Sequence, residues 1–378
     1  MSMTIDIPTS RDKVLFTPGP LTTSLSVKQA MLRDAGSWHF EFNAKVEIIR
    51  EKVLELAGVS REQGYECVLL QGSGTFGVES VFSTSVPHDG KVLVVSNGAY
   101  GERMIAMLKC LRIDYEVYRT GEDTPPDPEV VASTLAKDAA VTHVAVVHCE
   151  TTTGILNPID AIGRVVRDAG RSLIVDAMSS FGAMPIDFET AGIDFLITSA
   201  NKCIEGVPGF SLVLGKRDAL LANEAGTRCL SMDLAAQLRG FEKNGQFRYS
   251  PPTHALLAFE QALKELDLEG GVEGRASRYQ RNHAVLLDGM RTMGFRSYLS
   301  ADVQSYLITS FHFPRDPGFT FDAFYRNLSD RGMIIYPGKI SQVDLFRIGS
   351  IGRIFESDVR ALIGAIRGSL EDMKVSSI

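Results

Sequence analysis

Between residues 67 and 214 the chain alternates short runs of consecutive apolar side chains with stretches in which apolar residues recur at helical spacing. The runs predict strands at 67–70, 91–95, 142–147, 172–175, 194–198 and 210–214, and several are apolar at successive positions. That is the signature of strands buried on both faces of a parallel sheet. Helical periodicity between them predicts helices at 75–85, 101–111, 128–136 and 158–169. In the last of these, Asn157-Pro158 reads as a capping residue followed by proline at the first helical position. A helix carrying Val46, Ile49, Val53 and Leu56 precedes the sheet.

From Thr253 the period lengthens. Helices are predicted at 254–268 and 272–293, separated by Glu269-Gly270-Gly271, then strand-like 306–313, a helix near 321–330, and strands at 333–336 and 345–348. A final helix presents Phe355, Val359, Leu362, Ile363, Ile366 and Leu370 on one face. The expected architecture is α/β. A large domain (1–260, including the N-terminal segment) carries a mainly parallel, doubly wound sheet, and a smaller α+β domain covers 261–378.

Composition narrows the class. Apolar residues at 44% and charged residues at 22% are those of an ordinary globular chain. A net charge of −7 argues against nucleic acid or an anionic membrane as partner, so any anionic ligand needs local donors. The five cysteines are odd in number and never form C-x-x-C, which points to reduced thiols and a cytoplasmic setting. There is no secretory leader pattern at Met1–Arg11 and no run of about 18 apolar residues. The seven histidines show no metal-ligand spacing.

Three features carry chemistry. Leu69-Leu70-Gln71-Gly72-Ser73-Gly74-Thr75 is a strand entering a glycine loop that opens a helix, where free amides and hydroxyls receive an anion. Phosphate binding is favoured there over a plain turn. Gly72, Gly74 and Gly77 also match the dinucleotide fingerprint. However, the next strand ends in Ser96-Asn97-Gly98 and lacks the acid that holds a ribose. Asp176 ends the run Ser172-Leu173-Ile174-Val175. A carboxylate there either caps the following turn or pairs with a cation such as a protonated pyridine nitrogen. Lys202 follows Ile197-Thr198-Ser199-Ala200-Asn201 among small and apolar neighbours, an environment suited to Schiff-base chemistry. Ser199-x-x-Lys202 fits a serine acyl-transfer motif as well, but its companion motifs are missing.

Phosphate loop, strand-end aspartate and strand-end lysine in this order resemble fold-type-I pyridoxal-phosphate enzymes. The chain resembles the class V aminotransferases over nearly its whole length, and within them the 2-aminoethylphosphonate–pyruvate group. The resemblance runs from Thr17-Pro18-Gly19-Pro20 through Ser96-Asn97-Gly98-Ala99-Tyr100-Gly101, Glu150-Thr151-Thr152-Thr153-Gly154, Asp176-Ala177-Met178-Ser179-Ser180 and Ser199-Ala200-Asn201-Lys202 to Tyr336-Pro337-Gly338-Lys339 and Phe346-Arg347-Ile348-Gly349.

That resemblance implies an aminotransferase using pyridoxal 5'-phosphate, an amine donor and a 2-oxo acid. Lys202 would carry the cofactor and Asp176 would pair with its ring nitrogen. Tyr100 would stack on the ring, Thr153 would lie near the ring oxygen, and Ser73, Gly74 and Thr75 would hold the phosphate. Ser250 would reach the phosphate of a partner subunit, making a homodimer with shared sites. Arg347, a cation in an apolar strand, would bind the substrate anion, a buried ion pair being the structural alternative.

One stretch departs from the group. Trp38-His39-Phe40-Glu41-Phe42 stands where those proteins carry more acid, which bears on donor choice. Alanine– or serine–glyoxylate transamination therefore stays open, with a nicotinamide-dependent dehydrogenase the rival from another class. A cysteine desulfurase is disfavoured because no cysteine follows Cys229.

Overall fold

In the computed structural model, residues 12–338 and 343–378 are described. Seven strands form the central sheet: β1 Tyr65–Gln71, β2 Lys91–Ser96, β3 Asp114–Arg119, β4 Val141–Val147, β5 Ser172–Asp176, β6 Phe195–Ser199 and β7 Phe210–Lys216. Their order is β1-β7-β6-β5-β4-β2-β3, and only β7 runs against its neighbours. The other six strands therefore point the same way and deliver their C-terminal ends to one edge. In open α/β sheets that edge is where ligands bind.

The predicted strands and helices lie within a few residues of the observed ones, but strand β3 and the helices Leu25–Ala30, Arg217–Leu221 and Leu234–Asn244 are among the elements not predicted. Strand β3, Asp-Tyr-Glu-Val-Tyr-Arg, has exposed ends and half-buried interior positions. It is an edge strand with mixed polar and apolar positions, so it lacks the apolar run that marks its neighbours.

Helix Gly74–Ser85 packs on β6 and β7, and Ala99–Leu111 packs on β2. The fingerprint glycines are explained by this packing. Gly72 has φ +108°, and a Cβ on Gly77 would lie 2.9 Å from Ile197 Cγ2 and 3.0 Å from Ser211 Cβ. Helix Ile159–Asp168 starts differently from expectation. Its cap position is Pro158, with no side-chain cap bond. The Asn157 amide instead donates to the Val147 carbonyl at 2.8 Å and exchanges hydrogen bonds with Asn97, which ties together the loops after β2 and β4.

The second domain holds a three-stranded antiparallel sheet, β8 Ile308–His312, β9 Tyr336–Pro337 and β10 Leu345–Gly349, in the order β8-β10-β9. Phe295, Phe311, Phe324 and Phe346 fill its core, Phe346 meeting Phe295 edge-on at 5.6 Å.

The expected boundary at 260/261 falls inside a helix. Helix Thr253–Leu268, which spans that position, contributes Leu256, Phe259, Leu263 and Leu266 to the same core as the central sheet. The N-terminal segment changes sides. Val14–Leu15 pairs with Met333–Ile334, and Phe16 lies in the small-domain core.

Gly77→Ala sets two known effects against each other. Alanine gains about 0.8–1 kcal/mol in helix propensity, while overpacking typically costs about 1–3 kcal/mol. The expected result is net destabilisation, seen as a lower denaturant midpoint at unchanged slope. A midpoint at or above wild type would mean that the helix is not pressed against β6 and β7.

Candidate active site

The converging strand ends enclose a cavity whose walls include Ser73, Tyr100, Arg103, Thr151, Asp176 and Lys202. At its β1 corner Gly72 turns the chain, and its amide donates to the Gly209 carbonyl at 3.0 Å. Ser73 is the extended N-cap of helix Gly74–Ser85 and makes no capping bond with its side chain. The first amides of a helix have no partner within it, so Gly74 and Thr75 present donors and a partial positive charge. Gly74 has no room for a side chain, because a Cβ there would fall 2.1 Å from Met178 Sδ.

Arg103 completes this corner and was not legible beforehand. Its guanidinium donates to Thr75 Oγ1 at 3.2 Å and lies 4.8 Å from the centre of the Tyr100 ring. The available signal was spacing: position 103 is one helical turn past Tyr100 on helix Ala99–Leu111.

Asp176 ends β5 with little exposure. Burial pushes its carboxyl up to about 6, against a hydrogen bond from the Met178 amide at 2.9 Å. Both sequence-based readings of Asp176 therefore describe it, because one oxygen caps the turn while the residue lines the cavity.

Lys202 lies on the turn after β6, half-buried, and its Nζ donates to the Pro18 carbonyl at 2.6 Å. A Cβ on Gly19 would come within 2.7 Å of Lys202 Cδ and Nζ, so this glycine lets the N-terminal segment lie directly over the lysine.

Across the cavity, Glu150 is fully buried, and burial raises its pKa. It accepts the amides of Tyr100 at 3.1 Å and Gly101 at 3.4 Å, together with the amide and hydroxyl of Thr152 at 3.0 and 2.6 Å. A carboxylate at the N-terminus of helix Ala99–Leu111 compensates the helix dipole and sets where Tyr100 stands. Pairing across 50 residues leaves no local signal in the sequence.

Thr151 lines the cavity; Thr153 does not, and its hydroxyl donates to the Glu122 carbonyl at 3.0 Å. Arg347, in the middle strand of the small sheet, is buried. It donates from Nε to the Pro337 carbonyl at 2.9 Å and from Nη1 to the Thr151 carbonyl at 2.7 Å. Among the described residues it forms no ion pair with an acid, and burial lowers its pKa. Lys339 lies outside the described residues. Ser250 is exposed and away from this cavity, its carbonyl accepting from Gln71 Nε2 at 3.1 Å. Cys149 does line the cavity, but burial pushes its thiol up to about 12, which argues against thiolate chemistry.

These residues fit pyridoxal phosphate. Asp176 is a buried carboxylate in need of a cation, Ser73–Thr75 with Arg103 form an anion site, and Lys202 offers an amine between them.

The chain matches the family model described as aminotransferase class-V over residues 23–349. It is 50% identical to the 2-aminoethylphosphonate–pyruvate transaminase of Syntrophobacter fumaroxidans, over 94% of this chain and 96% of that protein. It is 49% identical to the protein of the same name from Salmonella heidelberg, over 97% and 100%. Among solved structures it is similar in fold to ureidoglycine–glyoxylate aminotransferase from Bacillus subtilis, with TM-score 0.89 and 20% identity over 99% and 96% of the two chains. It is likewise similar to pyridoxamine–pyruvate aminotransferase from Mesorhizobium loti, with TM-score 0.85 and 24% identity over 98% and 95%.

The raised pKa of Asp176 makes a stability prediction for cofactor-free protein. Unfolded, the carboxyl ionises near 3.8; folded, near 6, so between these values the folded state binds more protons. Stability from this group therefore falls as pH rises and is fully lost above about 6. Buried His143 and His148, lowered to about 4 by desolvation, act the opposite way but cancel when wild type is compared with Asp176→Asn. Relative to that variant, wild type should lose up to ~3 kcal/mol from about pH 4 to about pH 7, read from paired Tm profiles. A difference independent of pH would remove the buried-charge account.

Proposed function

Because the chain belongs to the class V aminotransferases, we propose that it moves the amino group of 2-aminoethylphosphonate to pyruvate, giving phosphonoacetaldehyde and alanine. The observation that carries this reading is identity of about one half, sustained over nearly the full length of relatives bearing that name. The enzyme uses pyridoxal phosphate. When bound, this cofactor supplies an aldehyde that exchanges for an amino group and a ring that draws electrons from the substrate carbon.

The residues of the chain divide the remaining work. Lys202 would hold the cofactor through Nζ, and the same Nζ, once free, would move the proton of the carbon that bears the donor amine. Asp176 would pair with the ring nitrogen and favour its protonated form, a cation that would offset the burial now raising the carboxyl pKa. The Ser73–Thr75 corner and Arg103 would receive the phosphate, and Tyr100 would offer its ring as a stacking face. Thr153, whose hydroxyl is engaged with Glu122, supports the loop that carries Thr151. Arg347 holds the phosphonate in the first half-reaction and the pyruvate carboxylate in the second. A desolvated guanidinium with two backbone partners and, among the described residues, no ion pair with an acid suits that task.

The active unit is a homodimer. Leu32, Trp38, Phe40, Phe76, Leu230 and Tyr249 are large apolar side chains left exposed. Phe76 stands beside the phosphate corner and Tyr249-Ser250 is tied to Gln71. A second copy covering this face would bring Ser250 to its partner's phosphate. The Trp38–Phe42 segment would then also lie at the junction, where a departure from the group bears on donor choice.

A donor panel tests the substrate. Wild type should favour 2-aminoethylphosphonate over alanine, serine and ethylamine. Arg347→Lys should weaken both half-reactions by about tenfold or more, because one ammonium cannot reproduce a paired guanidinium contact. Equal use of ethylamine would show that no anion is read. Preference for alanine or serine with glyoxylate would move the enzyme to the neighbouring group of transaminases.

Subunit mixing tests the shared site. Lys202→Ala should lose the borohydride-reducible visible band and all transamination, and Ser250→Ala should bind cofactor weakly. Exchanging subunits of the two should restore part of the activity through hybrid sites. A monomer in sedimentation, or no recovery despite exchange, would sink the shared-site reading.

A further inference from the structure

Helix Gly271–Thr292 carries Arg275, Arg278, Tyr279 and Asn282 along one face, at the i, i+3, i+4 and i+7 spacing of a single stripe. All four are buried, Arg275, Tyr279 and Asn282 completely. A polar stripe buried inside a protein is costly unless each group finds a partner. Here the partners fall in two places.

The first place is the turn that carries Lys202. Glu205 Oε1 accepts from Arg278 Nη2 at 2.7 Å and from the Tyr279 hydroxyl at 2.6 Å, with Arg275 Nη1 at 3.4 Å. Arg275 also donates to the Cys203 carbonyl. Glu205 is held at φ +65°, a conformation non-glycine residues seldom adopt, while its amide donates to the Lys202 carbonyl at 2.7 Å.

The second place is the turn leaving the strand of Arg347. Arg278 Nη1 donates to the Gly352 and Ile354 carbonyls, Asn282 to those of Ser350 and Ile354, and the Gly352 amide donates to Tyr279 Oη at 3.1 Å. This turn also anchors the segment over the lysine. The Gly349 amide donates to Phe16 and the Arg353 amide to Thr22, on either side of Pro18-Gly19. Glu269 balances the charge, pairing with both Arg275 and Arg278.

We propose that Glu205, gripped by Arg275, Arg278 and Tyr279, is a positioning residue for Lys202, locking the lysine turn to the segment that carries the substrate arginine. Buried ion pairs are poor sources of net stability compared with apolar packing, and a left-handed glutamate adds strain. What the arrangement supplies is registration. One helix stripe fixes Lys202 Nζ, the Pro18 carbonyl it contacts, and the end of the Arg347 strand in a single frame, although they come from both domains.

The proposal rests on the Lys202 assignment, and the experiment separates the two. Glu205→Gln keeps the shape and removes the charge. In the cofactor-free protein, amide exchange over 202–206 should quicken by about tenfold or more, with β4 and β5 unchanged. In the holoenzyme kcat should fall by about tenfold or more while both KM values move little.

Glu205→Leu combined with Arg278→Met removes charge from both sides, leaves Arg275 with Glu269, and should recover much of the thermal stability lost in the single variant. In that double variant kcat should stay low. If kcat returns together with Tm, or if Glu205→Gln leaves exchange of the turn unaltered, the network is structural only and the proposal falls. Should the double variant not fold, the exchange and kcat of Glu205→Gln decide. A wild-type enzyme with no borohydride-reducible band would overturn the Lys202 assignment and the proposal together. With that band present, every failure above belongs to the clamp alone.

Discussion

Everything at the site follows from placing charge where water cannot reach it. Asp176 and Glu150 are carboxylates on the buried edge of a parallel sheet, and burial pushes both toward their neutral forms. The fold answers the two cases differently. Glu150 receives four hydrogen bonds and a helix N-terminus from the protein itself, so its charge is met within the chain. Asp176 receives one backbone amide. Lys202 and Arg103 offset its burial only in part, so under the proposed function binding of a protonated ring and ionisation of Asp176 would be one event viewed from two sides.

The same logic separates the arginines. Arg275 and Arg278 are buried beside Glu205 and Glu269 and pair with both acids, Arg353 also lying 3.9 Å from Glu269. Arg347 is buried with two carbonyls and no acid among the described residues, and Arg103 reaches a hydroxyl and the Tyr100 ring. Compensated guanidinium groups hold the frame. Those facing neutral partners are the ones to which the proposed function gives an anion.

Much of this was legible from the chain alone because it is local. Consecutive apolar runs mark strands buried on both faces, and their C-terminal residues, among them Gln71 and Asp176, stand at the edge where ligands bind. Lys202 stood out as a cation among small and apolar neighbours. What escaped was set by contacts between distant segments. Asn157 looked like a helix cap, but its amide is spent on Asn97, 60 positions away. The stretch at 114–119 hid its strand because an edge position lets charged residues face solvent. Thr153 was singled out within Thr151-Thr152-Thr153, yet it is Thr151 that lines the cavity, since threonines in a tight turn point in different directions.

The N-terminal segment shows how little position in the sequence says about membership in a domain. Residues 14–16 pair and pack with the small domain, and the chain then crosses to lay Pro18-Gly19 on the lysine before the large domain begins. A carbonyl 2.6 Å from Nζ and a glycine with no space for a methyl make this crossing part of the wall around the lysine. Because the same turn that anchors it also ends the Arg347 strand, any shift of the small domain moves the roof over Lys202 and the arginine together. The lysine turn is bound to that frame through Glu205, so such a shift carries the amine along instead of opening a gap between amine and anion site. If Glu205 positions the lysine as proposed, the two domains would meet a substrate as one jaw, registered by buried hydrogen bonds.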